Sequence, residues 1–296
     1  MNKNKDWKFQ TLLTCLFIVL ALLILLPLWV VVSISLSRES SIAYNGYSIF
    51  PNPIDLSAYK FVFKNPASIL RAYAVTIKSS FLYMALSVIL MSMLAYPLSQ
   101  KSFRGRQVIN FVVYLTMLFP AGLVPSYILN TQYLHLGNSF WIYIFPGIIS
   151  PWYVFMLRTF FSQIPESLHE ASLLDGLSEG GYLLKIVYPL SKPALAAVAL
   201  FMFLAKWNDW FTSMIYVDDQ DLFSLQYLLQ RIMNNIQILQ NSASTMGSAG
   251  KSELAKIPTE TVRMAMAVVV AGPALLIFPF FQKYFVKGLT VGSVKG

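Results

Sequence analysis

The sequence predicts an all-α, polytopic membrane protein with six transmembrane helices, and three observations carry that prediction. Of 296 residues, 56% are hydrophobic and only 12% charged, which leaves too little polar surface to cover a water-soluble domain. The apolar residues gather into runs of about 20, the length a helix rising about 1.5 Å per residue needs to cross a hydrocarbon core of roughly 30 Å. Lys and Arg crowd into alternate short loops, as orientation in a membrane requires.

The six spans are residues 12–34, 73–97, 108–130, 140–160, 194–217 and 262–284. The first follows Lys3, Lys5 and Lys8 and has the charge pattern of a signal peptide. Its length exceeds a signal core and no small-residue cleavage site follows, so it reads as a retained helix. Cys15 lies alone within it, expected as a small buried hydrophobe. Pro97, Pro120, Pro125, Pro146, Pro151, Pro273 and Pro279 are expected to bend or break the later spans where neighbours satisfy the freed backbone groups. Trp29 and Trp141 suit interfacial anchoring. Lys78, near the outer end of the second span, either snorkels to the interface or lines a pathway.

An inside amino terminus puts Lys3, Lys5, Lys8, Lys101, Arg104, Arg106, Arg158, Lys185, Lys192, Lys283, Lys287 and Lys295 on one side, so both termini are expected in the cytoplasm. The chain then divides into residues 1–72, a helix with an external segment; 73–285, a transmembrane domain carrying a cytoplasmic loop at 161–193; and a tail at 286–296. A second external loop covers 218–261, where Leu225 to Leu239 suits a short interfacial helix and Asn241 to Gly250 suits mobile chain.

The net charge of +9 follows from the loop lysines and arginines and calls for no nucleic-acid partner. His135 and His169 stand far apart with one cysteine, so no metal cluster is expected. Gly250-Lys251-Ser252 imitates the end of a phosphate-binding P-loop, but Thr245 stands where that pattern needs glycine. No nucleotide or other cofactor is therefore expected on this chain.

The chemistry-bearing stretch is the loop Pro165-Glu166-Ser167-Leu168-His169-Glu170-Ala171-Ser172-Leu173-Leu174-Asp175-Gly176. Pro165 suits a first helical turn and Glu166 the positive end of the helix dipole. Glu170 follows one turn later on the same face. Ala171 and Ser172 keep one side small, and Asp175-Gly176 permits a sharp turn. The physics fits either a surface helix with solvated carboxylates or a rigid elbow that another protein grips.

Glu170-Ala171-Ser172, Gly176 after three intervening residues, Ile186 after nine more, and Pro189 resemble the EAA loop of permease subunits of ATP-binding-cassette importers. The likeness extends through Arg158-Thr159-Phe160-Phe161, Pro193-Ala194-Leu195 and the closing stretch from Phe281 to Leu289, covering the chain from about residue 70 onward. Within that superfamily the chain is similar to the MalG-like carbohydrate uptake subunits, in the polysaccharide or lipoprotein-type sugar permease branch. The resemblance implies the type I importer permease fold and a cell-membrane location. It also implies a second homologous permease subunit, two ATPase subunits holding ATP and Mg, an extracellular solute-binding protein and an oligosaccharide substrate. Glu166, Glu170, Ala171, Ser172, Asp175 and Gly176 would then form the ATPase-coupling socket. Ser172, Leu177 and Tyr188 depart from the family pattern, and Tyr188 bears on how the second short helix seats.

Lys206-Trp207-Asn208-Asp209-Trp210 interrupts the fifth span near mid-membrane. Ionisable groups there are functional candidates, and aromatic rings beside amides and charges suit a sugar. The same spacing lets Lys206 and Asp209 pair on one helix and fix packing. Lys206 and Lys78 would favour an acidic oligosaccharide, with Asp209 opposing. Two rival classes are weaker. An enzyme using Glu166 and Glu170 as acid and base lacks any environment to separate their pKa values, so no catalytic residue is assigned. An ion-gradient-driven secondary carrier would use Lys206 and Asp209 as its coupling pair.

Overall fold

A computed structural model describes the backbone of residues 3–245 and 259–292. In chain order the helices are α1 Lys3–Ser35, α2 Glu39–Asn45, α3 Ser57–Val62, α4 Pro66–Ser99, α5 Arg106–Leu118, α6 Leu123–Ile128 and α7 Pro151–Phe161. Then come α8 Glu166–Leu174, α9 Glu179–Tyr182, α10 Tyr188–Leu190, α11 Lys192–Trp207, α12 Phe211–Tyr216, α13 Leu225–Thr245 and α14 Glu260–Gly292. The described residues contain no strand beyond one bridge, between Ser37 and Ile54. The chain forms two compact units, one of residues 1–66 with 229–273, the other of 67–228 with 274–296.

In the first unit, α1 presents apolar side chains outward along its length, from Phe9 to Trp29. Cys15 is exposed with them, which corrects its expected burial: among the described residues no helix covers that part of α1. After α1 the chain is tied back to it. The Trp29 indole donates to the Ile49 carbonyl at 2.9 Å, Ser33 Oγ to the Ser48 carbonyl at 3.0 Å, and Ser35 Oγ shares a 2.8 Å bond with the Tyr59 hydroxyl. Glu39 accepts from the backbone N–H of Glu260 at 3.0 Å and of Thr261 at 2.9 Å, and from the Thr261 hydroxyl at 2.7 Å. A carboxylate thus satisfies the open N–H groups at the positive end of α14. Burial raises the Glu39 pKa, but the bonds from Thr261 and its neighbours outweigh burial and hold it below the ordinary value.

The second unit is organised on α4. Its positions Val75, Tyr83, Met91, Ala95 and Leu98 point into a core shared with Val154 and Leu157 of α7 and Val198 and Met202 of α11. That recurrence is the helical period laid along one face. Small hydroxyl residues Thr76, Ser79, Ser80 and Ser87 continue the buried face and let neighbours approach closely.

Among the described residues, three helices are long and apolar enough to span a membrane: Phe9–Ser35, Pro66–Ser99 and Glu260–Gln282. Two further pairs pass only as bent elements. α5 and the Leu123–Tyr133 helix meet at 111°, and Glu179–Leu190 meets α11 at 84°. Hence 108–130 is no continuous helix but breaks as its prolines led one to expect, where Pro120 cannot donate a helical bond and Gly122 adopts φ +83°. Residues 140–160 are likewise no single helix. A 3₁₀ turn over Phe140–Tyr143 leads through Pro146 and Gly147 to α7, whose 11 residues rise only about 16 Å. The span at 194–217 stops at Trp207, and α12 follows as a separate turn. In the opposite sense, α13 runs to Thr245, so Asn241–Thr245 is helix where mobile chain was expected. Propagating a helix costs only tenths of a kcal/mol per poor residue once it is nucleated. Gly250-Lys251-Ser252 lies outside the described residues.

Candidate functional site

The loop after α7 forms the expected elbow. α8 opens on Pro165 and closes in a Schellman turn: the Leu177 N–H reaches the Ser172 carbonyl at 2.9 Å and the Gly176 N–H the Leu173 carbonyl at 3.0 Å. Gly176 sits at φ +74°, which a Cβ resists. Glu166, Glu170, Ala171 and Asp175 are exposed, and Ser172 alone of the helix is buried, its hydroxyl donating to the His169 carbonyl at 2.7 Å. Glu166 meets Lys101 at 3.7 Å, a solvated pair of little energetic weight.

Sequence reasoning missed the apolar side of this elbow. Leu173 is 51% exposed and Leu174, at its tip, 90%. Two adjacent exposed leucines give the end of α8 an apolar surface of the kind that is often an interaction site. The available signal was their position, three and four residues past Glu170.

The inward face of the elbow is held at several points. His169 Nε2 lies 3.1 Å from Glu179 Oε1, and its ring meets Tyr182 edge-on at 4.8 Å. The Tyr96 hydroxyl donates to the other oxygen of Glu179, and the Tyr188 hydroxyl bonds Ser92 Oγ at 2.6 Å. Both Tyr96 and Ser92 belong to α4. The departure at Tyr188 therefore seats the second short helix by an added hydrogen bond rather than loosening it.

The interrupted helix resolves differently. Lys206 Nζ lies 2.8 Å from Asp209 Oδ2 and 4.7 Å from the centre of the Tyr83 ring, with side-chain exposures of 9% and 16% for the pair. Asp209 also accepts from the Thr212 N–H at 3.0 Å and the Thr212 hydroxyl at 2.6 Å. Trp207 is buried, whereas Asn208 and Trp210 are exposed. Of the two readings of these residues, mutual pairing is the one the geometry displays: Asp209 neutralises Lys206 and starts α12. Thr212 and Tyr83 complete this cluster, and neither was marked by the sequence pattern. Asn208, which accepts from Gln226 Nε2 at 3.2 Å, and Trp210 are the members that remain presented outward.

Long apolar helices, an α4-anchored elbow with a greasy tip and a neutralised charge pair inside a broken helix define a membrane transport subunit. The chain belongs to the family of binding-protein-dependent transport system inner membrane components, which matches residues 88–291. It is 34% identical over 292 residues to the polygalacturonan/rhamnogalacturonan transport system permease protein YtcP of Bacillus subtilis (strain 168), covering 99% of this chain and 100% of that one. It is 29% identical to the trehalose/maltose transport system permease protein MalG of Thermococcus litoralis, over 94% of each chain. Among solved structures, a bacterial ATP-binding-cassette transporter involved in import of the acidic polysaccharide alginate matches with a TM-score of 0.77 and 28% identity, covering 96% of this chain and 99% of that one.

These findings make the chain an all-α, multi-pass permease of the cell membrane, a transport subunit and not an enzyme. Membership of an ATP-binding-cassette importer family implies a partner permease, an ATPase and a solute-binding protein.

Proposed function

We propose that this chain is one half of a heterodimeric permease that imports an oligosaccharide, with acidic chains preferred, and that α8 is the element through which two ATPase subunits drive it. The observation that carries the reading is the elbow: a short helix locked by the Gly176 turn, exposing Leu173 and Leu174 beside Glu166, Glu170 and Asp175. A partner groove would receive the leucines while carboxylates at its rim select orientation. Because His169, Tyr96 and Tyr188 tie the far side of the elbow to Glu179 and α4, displacing α8 moves the end of a 34-residue helix. Reversing a 1:99 equilibrium between two permease states takes about 5.5 kcal/mol of differential binding. ATP and Mg on the ATPases would supply it, and this chain holds neither.

In this reading both termini, the elbow loop at 161–193 and the tail at 286–296 face the cytoplasm, residues 73–285 form the translocation domain, and residues 35–72 and 218–261 face the extracellular binding protein. Lys206 and Asp209 shape the pathway by packing, and Asn208 and Trp210 are its substrate-facing members. The acidic preference is supported by what the alginate importer and the polygalacturonan permease carry.

The test is a pull-down of tagged chain in mild detergent, expressed with its genomic neighbours, native against Gly176→Trp. Recovery of a second permease and an ATPase, with the ATPase selectively lost in the variant, supports the elbow as socket. Vesicle uptake that persists without ATP and collapses with an uncoupler would replace this reading by the ion-driven carrier.

A further inference from the structure

Within the second unit a groove of about 420 Å³ opens beside the early turns of α4, lined by Arg71, Val75, Lys78, Phe140, Asp221 and Leu222. Arg71, Val75 and Lys78 lie at i, i+4 and i+7 and so share one helix face. Val75 is buried and forms an apolar floor with Leu222, and Phe140 adds an aromatic ring to the lining. Arg71 is paired with Asp221, so its charge is met. Among the described residues no carboxylate lies within ion-pair distance of Lys78, which is exposed. The groove therefore carries one uncompensated positive charge above an apolar floor.

Resting on the acidic-saccharide reading above, we propose that this groove is a subsite for one uronate unit, in which Lys78 binds the carboxylate, Phe140 and Val75 cover the apolar ring face, and the Arg71–Asp221 pair meets the hydroxyls. The chemistry follows from the donor set. A pyranose offers an apolar face that packs on aromatic and aliphatic carbon, and a cation with open donors bonds a carboxylate more strongly than a neutral hydroxyl. Asp221 supplies lone pairs and Arg71 supplies N–H groups, which together match hydroxyls that both donate and accept. A neutral sugar would leave Lys78 without a counter-charge, and that difference discriminates.

The assay is equilibrium titration of the purified permease–ATPase complex in phosphatidylcholine nanodiscs, with no solute-binding protein present, using trigalacturonate and its carboxyl-reduced counterpart. The native complex is expected to bind the acid about tenfold more tightly than the reduced sugar, one charge-assisted bond's worth. Lys78→Met keeps the aliphatic stem and should erase that preference, and Lys78→Arg should restore it, with both variants eluting as intact complex. A Lys78→Met complex that retains the native preference overturns the groove and leaves the acidic-saccharide reading standing. Proteoliposomes supplied with ATP and the binding protein that import the reduced sugar but not trigalacturonate overturn that reading itself. A preference that falls when phosphatidylglycerol replaces the neutral lipid would make the groove an anionic headgroup site instead.

Discussion

Replacing Gly176 separates the strain of the elbow from its contact with a partner. Its φ of +74° lies in the left-handed region, and a Cβ built there meets nothing within 4 Å. Any side chain therefore brings backbone strain of about 1–2 kcal/mol, and the Cβ itself meets no collision among the described residues. Felt fully in docking, that strain lowers association with the ATPase about 5- to 30-fold. Asn tolerates the conformation best after Gly, so Gly176→Asn should bind within about threefold of native, Gly176→Ala 5- to 30-fold more weakly, and Gly176→Trp more weakly still. The excess of Trp over Ala measures how closely the partner approaches the turn. The assay is titration of purified ATPase into nanodisc-held permease, read as the dissociation constant. Equal affinity for Ala and Trp would refute close approach at Gly176, and native affinity for all three would refute docking through the elbow.

Lys206→Met leaves Asp209 without its cation in a largely enclosed site, and loss of one partner from such a pair costs about 3 kcal/mol; the melting temperature of the complex should fall, and Asp209→Asn added to it should recover most of the loss. Asp209→Asn alone should preserve ATP-dependent, uncoupler-insensitive uptake, and its abolition would favour an ion-coupled carrier. Tyr188→Phe removes the 2.6 Å bond to Ser92, about 1 kcal/mol, and should lower substrate imported per ATP with the ATPase still bound. Glu39 is held below its ordinary value of 4.5, so it binds protons less readily folded than unfolded. Its stabilisation is complete above that value and disappears as pH falls through the folded value. Thermal stability measured from pH 6 down to pH 3 should decline less steeply in Glu39→Gln, and parallel curves would refute the cap at Thr261.

Composition and periodicity were sufficient for the long helices. α1, α4 and α14 carry so many consecutive apolar residues that a membrane is the only solvent in which they are stable, and no distant contact is needed to know it. The elbow was equally legible, because a proline start, a carboxylate in the first turn and a glycine after the last are local rules about unsatisfied backbone groups. Tertiary structure decided the rest. Pro120 and Pro146 marked where 108–130 and 140–160 would break, but hydropathy does not register the size of a bend, and the 111° between α5 and the Leu123–Tyr133 helix is visible only in the folded chain. Lys206 and Asp209 stand three residues apart in either reading, and only the folded chain shows them paired at 2.8 Å and enclosed by Tyr83 and Thr212. Leu174 is one leucine among many in the sequence, and only the folded chain shows it 90% exposed at the end of α8. Local rules act through neighbouring backbone and so are written in order along the chain, whereas burial and the hydrogen bonds between helices join residues 64 and 149 positions apart that meet only after folding.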